Sequence, residues 1–205
     1  MKSLVLITSN SIRHNYFKIL FSQNENINIL KTYVETNESF VLSEKATDNN
    51  AFGNKVAQHF LARHNTEFDF FSDVIEHCKD KSNSKYIENK EINNSGIVNE
   101  IISLNPDMIV TYGCSIIKAP LIEAFKNRIV NVHLGLSPYY FGSGTNFHCL
   151  VNNDFQFEGY TFMYMDKGID RTISSILKKE KIGIFGDYDV DGATSTAILG
   201  KYFDL

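Results

Sequence analysis

Short, mostly aliphatic runs separated by stretches of helical spacing constrain this chain more than any other feature. Residues 4–8, 108–112 and 129–132 are such runs, each closed by a polar or turn-forming residue. A run this short and continuous belongs to a strand buried on both faces, as in a parallel sheet. After the first run, Ser9, Asn10 and Ser11 offer helix N-cap chemistry, and Ile12, Tyr16, Phe17, Ile19 and Leu20 recur at helical spacing. Residues 27–36 alternate apolar and polar and predict a second strand. Residues 43–89 are polar and helical in places, with Val56, Phe60 and Leu61 on one face. Ile97, Val98, Ile101, Ile102 and Leu104 form an amphipathic helix that Asn105 and Pro106 terminate. Gly113 is a turn, and residues 119–125 are a short helix. The alternation predicts an open, mostly parallel α/β sheet with helices on both faces. Ligand chemistry in such sheets collects beyond the carboxyl ends of the strands.

A chain of 205 residues can bury one core, or one domain and a fragment of another. With 43% apolar and 21% charged residues it reads as an ordinary globular protein. A formal charge of −4 argues against a dedicated nucleic-acid surface, and Lys178, Lys179 and Lys181 read as a solvated helix end. No segment approaches the roughly 20 apolar residues of a membrane span, and the first apolar run is too short for a signal peptide. Cys78, Cys114 and Cys149 are odd in number and widely spaced, as expected of reduced thiols in a cytoplasmic protein.

Asn131 and His133 stand two apart in a predicted strand, so they face one side. A neutral imidazole suits proton transfer near pH 7, and an asparagine amide can donate to a developing oxyanion. That pair fits acyl transfer; it equally fits a strand-end histidine with an ordinary hydrogen bond. The surrounding residues extend the pattern: Leu136, Ser137, Pro138, Tyr139, Tyr140, Phe141 and Gly142, then Asn153, Gly159, Tyr160 and Thr161, then Met165, Asp166, Gly168 and Asp170. Upstream stand Asn105, Pro106, Asp107 and Gly113. Together they resemble the signature of the folate-dependent formyltransferase family over residues 1–170.

The resemblance implies a Rossmann-like open sheet of the formyltransferase type, with 10-formyltetrahydrofolate as cofactor. Asn131 would polarise the formyl oxygen, His133 would serve in proton transfer, and Asp170 would pair with the imidazole or activate a water. Gly113, Leu136, Ser137, Pro138 and Gly142 would line the cofactor site. The amine substrate would be small, an amino sugar or similar. Two segments depart from the family: Phe141 stands where it has arginine, and Arg171 and Thr172 follow Asp170 where it has Thr-Gly. At the start of the first helix, Arg13 and His14 either meet an anionic substrate group or are a solvated helix start.

The tail carries a second pattern. A helix on Ile169, Ile173, Ile176 and Leu177 precedes a short buried strand at residues 181–186, and Asp187, Asp189 and Asp191 then alternate along the chain. Converging carboxylates repel one another unless a divalent cation joins them. An EF-hand is excluded, because its twelfth position would be Ile198 where a bidentate glutamate is required. Residues 165–203 resemble the start of a RecJ-like DHH-family phosphoesterase domain, which implies Mn²⁺ or Mg²⁺ at these aspartates and a final helix. The expected organisation is a C-terminally incomplete formyltransferase-like domain at 1–165 and a truncated helix-strand-helix fragment at 166–205, joined in frame. The leading expectation is an impaired formyltransferase. The competing ones are a fragment of a metal-dependent single-strand DNA exonuclease and a non-catalytic chimera, with nucleic acid an improbable partner of the truncated form.

Overall fold

The computed structural model describes residues 1–36, 51–137, 139, 140, 142 and 144–165, without the side chains of 51–54 and 56. The chain divides into two compact units, 1–166 and 167–205. The elements expected in the tail lie outside the described residues, as do Pro138, Phe141, Ser143, Asp170, Asp187, Asp189 and Asp191.

The first unit is a six-stranded sheet in the order β3-β2-β1-β4-β5-β6. Its strands are β1 (Lys2–Ser9), β2 (Ile27–Thr36), β3 (Ser84–Glu88), β4 (Met108–Tyr112), β5 (Ile129–Leu134) and β6 (Tyr160–Tyr164). The first five are parallel, and β6 runs antiparallel to β5 at the edge. The helices are α1 (Ile12–Ser22), α2 (Ala51–His77), α3 (Ser95–Leu104), α4 (Ala119–Ala124) and α5 (Thr145–Val151), with short 3-10 turns at Glu91–Asn93 and Phe155–Phe157. The mostly parallel α/β sheet read from the sequence is therefore the observed one.

The central strand shows why. From Leu4 to Ser9 every residue of β1 is buried, and the side chains divide between two faces. Val5 and Ile7 join Tyr33, Ile109 and Ile129 under α3 and α4, which contribute Ile97, Val98, Ile101, Leu121 and Ile122. Leu4 and Leu6 join Val110 on the opposite face, covered by Phe17 and Phe21 of α1. Burying a side chain such as Ile7 or Leu6 contributes about 1.5–3 kcal/mol, so the layers on both faces are needed. Helix α3 ends as the sequence predicts: Asn105 adopts a left-handed conformation (φ 41°), its N–H donates to the carbonyls of Ile101 and Ile102, and Pro106 follows.

Strands β1 and β2 are out of simple register. Leu4 pairs with Ile29 but Val5 pairs with Lys31, so Leu30 is an extra residue. Ile27 and Ile29 pack on the α1 side with Leu4 and Leu6, whereas Tyr33 packs on the α3 side with Val5 and Ile7.

Three local expectations are corrected. On α1, Ile19 is buried and Phe17 packs on the core as expected, but His14 and Lys18 are buried as well and Leu20 is exposed. The reason is that α1 is covered by α2 as well as the sheet, with the Tyr16 and Phe71 rings 4.6 Å apart. The buried Lys18 ammonium is paired with Asp80 and donates to Ser84 Oγ at 3.1 Å, as a buried charge requires. Leu61 of α2 is exposed rather than part of a covered apolar face. Residues 84–88, within the stretch read as polar and partly helical, form edge strand β3, in which Ile87 alone is buried.

Candidate functional site

Asn131 and His133 lie within β5, at its third and fifth positions, so the pleat turns both to one side of the sheet. Register then supplies Asn131 with a partner. Thr111 of β4 stands directly opposite, and its hydroxyl donates to Asn131 Oδ1 at 2.9 Å. With its oxygen held, Asn131 presents its NH2 end as the donor. Thr111 was not singled out in the sequence; its signal was a hydroxyl residue inside the aliphatic run of β4.

His133 is half-buried, with Nε2 3.2 Å from the Gly142 carbonyl. A carbonyl only accepts, so Nε2 carries the proton and Nδ1 holds the bare lone pair. Nδ1 is buried with no hydrogen-bond partner among the described residues. An unsatisfied buried acceptor costs about 1–3 kcal/mol, which makes Nδ1 a place prepared for a donor. Ser137 Oγ is buried and unpartnered in the same way.

The loop after β5 is braced to the start of β6. Gly135 N–H donates to the Gly159 carbonyl at 2.7 Å, Thr161 Oγ1 donates to the Gly135 carbonyl at 2.9 Å, and Ser137 N–H donates to Thr161 Oγ1 at 2.9 Å. Thr145 donates to the Leu134 carbonyl. Further along, the Tyr140 hydroxyl donates to Asp154 at 2.6 Å, and Tyr139 stacks on Phe157 with ring centroids 4.2 Å apart. Leu136, Ser137 and Gly142 thus belong to one braced loop, and the Gly142 carbonyl is its contact with His133.

Gly113 closes β4 at φ 64°, and a Cβ there would run into the His14 ring. The strand order reverses between β1 and β4, where ligands of open parallel sheets gather. His14 is nevertheless no surface group. Its ring packs edge-on against Tyr112 at 4.7 Å, Ser11 Oγ lies 2.7 Å from Nδ1, and burial with the Arg13 charge lowers its pKa to about 3. Arg13 is engaged too, with Glu67 at 2.6 Å, a carboxylate shared with Arg63 at 2.9 Å. Those arginines hold the Glu67 pKa below its ordinary value, against the opposing effect of burial. A solvated helix start does not describe this packed cluster, in which His14 is buried and Arg13 is ion-paired.

The loop from Gly113 to Lys118 overhangs the strand ends next to Thr111. Cys114 packs against the main core, and burial beside the Glu35 carboxylate pushes its thiol up to about 12. It is therefore a neutral packing group rather than a nucleophile. Among the described residues no cluster of three or more His, Cys, Asp or Glu could hold a metal ion. No helix among them is long and apolar enough to cross a membrane.

Residues 53–196 match the formyl transferase family model, and the match runs through Asp187, Asp189 and Asp191. The methionyl-tRNA formyltransferase of Finegoldia magna is 35% identical over 95 residues, which are 45% of this chain and 29% of that protein. The methionyl-tRNA formyltransferase of Alkaliphilus oremlandii is 38% identical over 91 residues, 43% of this chain and 28% of that protein. In fold, the chain is similar to the phosphoribosylglycinamide formyltransferase of Anaplasma phagocytophilum, with a TM-score of 0.52 at 13% identity, covering 81% of this chain and 65% of that one. The chain spans under a third of the length of the curated relatives it matches. It belongs to the formyl transferase family.

Proposed function

From that membership, we propose that this chain transfers a formyl group from 10-formyltetrahydrofolate to a small amine such as an amino sugar. The observation that carries the reading is the pairing of a fixed amide donor with a bare imidazole nitrogen two residues away. Thr111 holds Asn131 so that its N–H groups can meet an oxygen gaining negative charge. His133 offers Nδ1 as the acceptor for the proton that an attacking amine must lose. The donor set fits a formyl carrier, which supplies an activated formyl group when bound. Gly113, Leu136, Ser137, Pro138 and Gly142 are the proposed cofactor residues.

Asp170 is the proposed partner of His133, and the geometry already described sets a condition on it. The Gly142 carbonyl and a carboxylate both only accept, so both ring nitrogens are satisfied together only in the doubly protonated imidazolium. Asp170 at Nδ1 would therefore stabilise His133 after it has taken a proton. A steady-state assay with 10-formyltetrahydrofolate and a panel of amino sugars tests the reading. Turnover lost in both Asn131→Leu and His133→Ala supports it; turnover unchanged in either removes that residue from its role.

A second reading concerns the tail, where Asp187, Asp189 and Asp191 alternate after an aliphatic run. Their resemblance to a DHH-type phosphoesterase motif favours Mn²⁺ or Mg²⁺ there, in a separate domain from residue 166 onward. Titration with Mn²⁺ decides it: binding abolished by Asp189→Asn supports the metal site, and no heat of binding rejects it.

A further inference from the structure

Glu35 lies at the carboxyl end of β2 and is 1% exposed, an expensive place for a carboxylate. Both of its oxygens are used. Oε1 accepts from the Lys90 N–H at 2.9 Å and Oε2 from the Ser115 N–H at 2.5 Å. One side chain thus joins two loops that follow different strands, β3 and β4. The junction also holds Lys90 in a left-handed conformation (φ 68°), which a lysine rarely adopts unaided.

A parallel set of contacts extends the clamp. Ser115 Oγ donates to Asn89 Oδ1 at 2.9 Å. Asn93 Nδ2 donates to the Ile116 carbonyl at 2.9 Å, and its Oδ1 accepts from the Lys118 N–H at 2.8 Å. From below, Ile117 is inserted in the core. In the middle of this fixed backbone Ile116 is 80% exposed. The sheet itself does not require a charge at position 35, since a buried apolar residue would fill the strand end. What the carboxylate adds is the shape of the 113–118 loop.

We propose that Glu35 is a positioning residue for folate binding: it fixes the 113–118 loop so that Ile116 stands as a rigid apolar face for the flat heteroaromatic end of the folate. The proposal rests on the formyl-folate reading. Ile116 and Asn131 are tied to one framework, because Thr111, two residues before Gly113, holds the Asn131 amide. Glu35 touches neither folate nor amine and acts only through the backbone of Ser115 and Lys90. Replacement by glutamine leaves one accepting oxygen for two donors, and the second N–H then faces an NH2 group.

The test uses the full chain and two measurements that do not depend on turnover. Calorimetric titration with tetrahydrofolate compares wild type, Glu35→Gln and Ile116→Ser. Hydrogen exchange without ligand follows the amides of Lys90 and Ser115. Glu35→Gln is expected to speed exchange at least tenfold at whichever of the two amides the remaining oxygen does not hold, and to weaken tetrahydrofolate about tenfold. Ile116→Ser weakens binding comparably with exchange unchanged, a split that general destabilisation does not produce. If Glu35→Gln fails to fold, Glu35→Asp, which keeps the charge and shortens its reach, carries the same comparison. Wild-type affinity in a folded variant whose loop exchanges faster overturns the role of Glu35 alone, and so does unchanged exchange. No tetrahydrofolate binding by wild type overturns the formyl-folate reading, and the proposal with it.

Discussion

The two sides of the sheet treat their buried polar atoms differently. On the β2-β1-β4 side the carboxylate of Glu35 and the ammonium of Lys18 are both paired. That side also holds two atoms without a partner among the described residues, His14 Nε2 and the Tyr33 hydroxyl, both in fully buried residues. On the β5-β6 side the unpaired atoms, His133 Nδ1 and Ser137 Oγ, belong to half-buried residues, and Tyr160, Phe162 and Tyr164 of β6 are exposed. Unsatisfied polar atoms lower stability, and only those of half-buried residues stand where another molecule could supply the partner. The side whose buried charges are paired holds the framework, and the half-buried residues with unpaired atoms are where a donor can still be received.

The strongest way to break this comparison is to remove the unpaired imidazole. His133→Ala should lower formyl transfer by about 10²- to 10⁴-fold, the usual worth of a positioned proton-transfer group. Its melting temperature should stay within a few degrees of wild type. A large loss of stability with little loss of rate would assign His133 to the framework instead. Next in size is Gly113→Ala. Its positive φ and the His14 ring against it should together cost about 2–4 kcal/mol in chemical denaturation. Adding His14→Ala should recover part of that cost, and strict additivity would show that the ring contact is not responsible.

The paired side was only partly legible in the sequence. Continuous aliphatic runs announce strands that are buried on both faces, which is why β1, β4 and β5 were found. Strand β3 was not, since an edge strand with one buried side chain leaves no periodic trace. Part of the buried face of α1 was misassigned because hydrophobic spacing cannot anticipate that Lys18 finds Asp80 sixty-two residues away. For the same reason Asn131 and His133 could be located by their local pattern, whereas Thr111, Glu35 and Asn93 could not. Each of these acts through register across strands or loops. Asp170 and the tail aspartates fall outside the described residues.

Acid sharpens the comparison. Folded His14 stays neutral down to about pH 3, while the unfolded chain takes up its proton near 6.5. Its contribution is complete above about pH 6.5 and is lost as the pH falls below that value, with a slope of about 1.4 kcal/mol per unit. The carboxylates of Glu67 and Glu100 have lowered pKa values from an ordinary 4.5, so their losses begin lower. Urea unfolding between pH 6.5 and 4.5 should therefore show a slope that His14→Phe removes; an unchanged slope would place its origin in another group. The smallest effect is expected at the β6 edge, where Phe162→Ser should change stability by about 0.5 kcal/mol or less. A cost several times larger would show that this ring is part of the framework.

The extra residue at Leu30 bears on how this strand can evolve. Side chains in a strand change sides at every residue, so the extra residue reverses the phase of β2: Ile27 and Ile29 face the α1 layer before it, and Tyr33 faces the α3 layer after it. Deleting Leu30 would give β2 one-for-one pairing with β1 throughout, with Lys31 still opposite Val5 and Tyr33 still opposite Ile7, so Tyr33 and Glu35 would keep their face. From Lys31 to Glu35 the ladder holds no extra residue, so a change of length there would turn the residues beyond it to the opposite face, whereas the loss of one residue at Leu30 is absorbed.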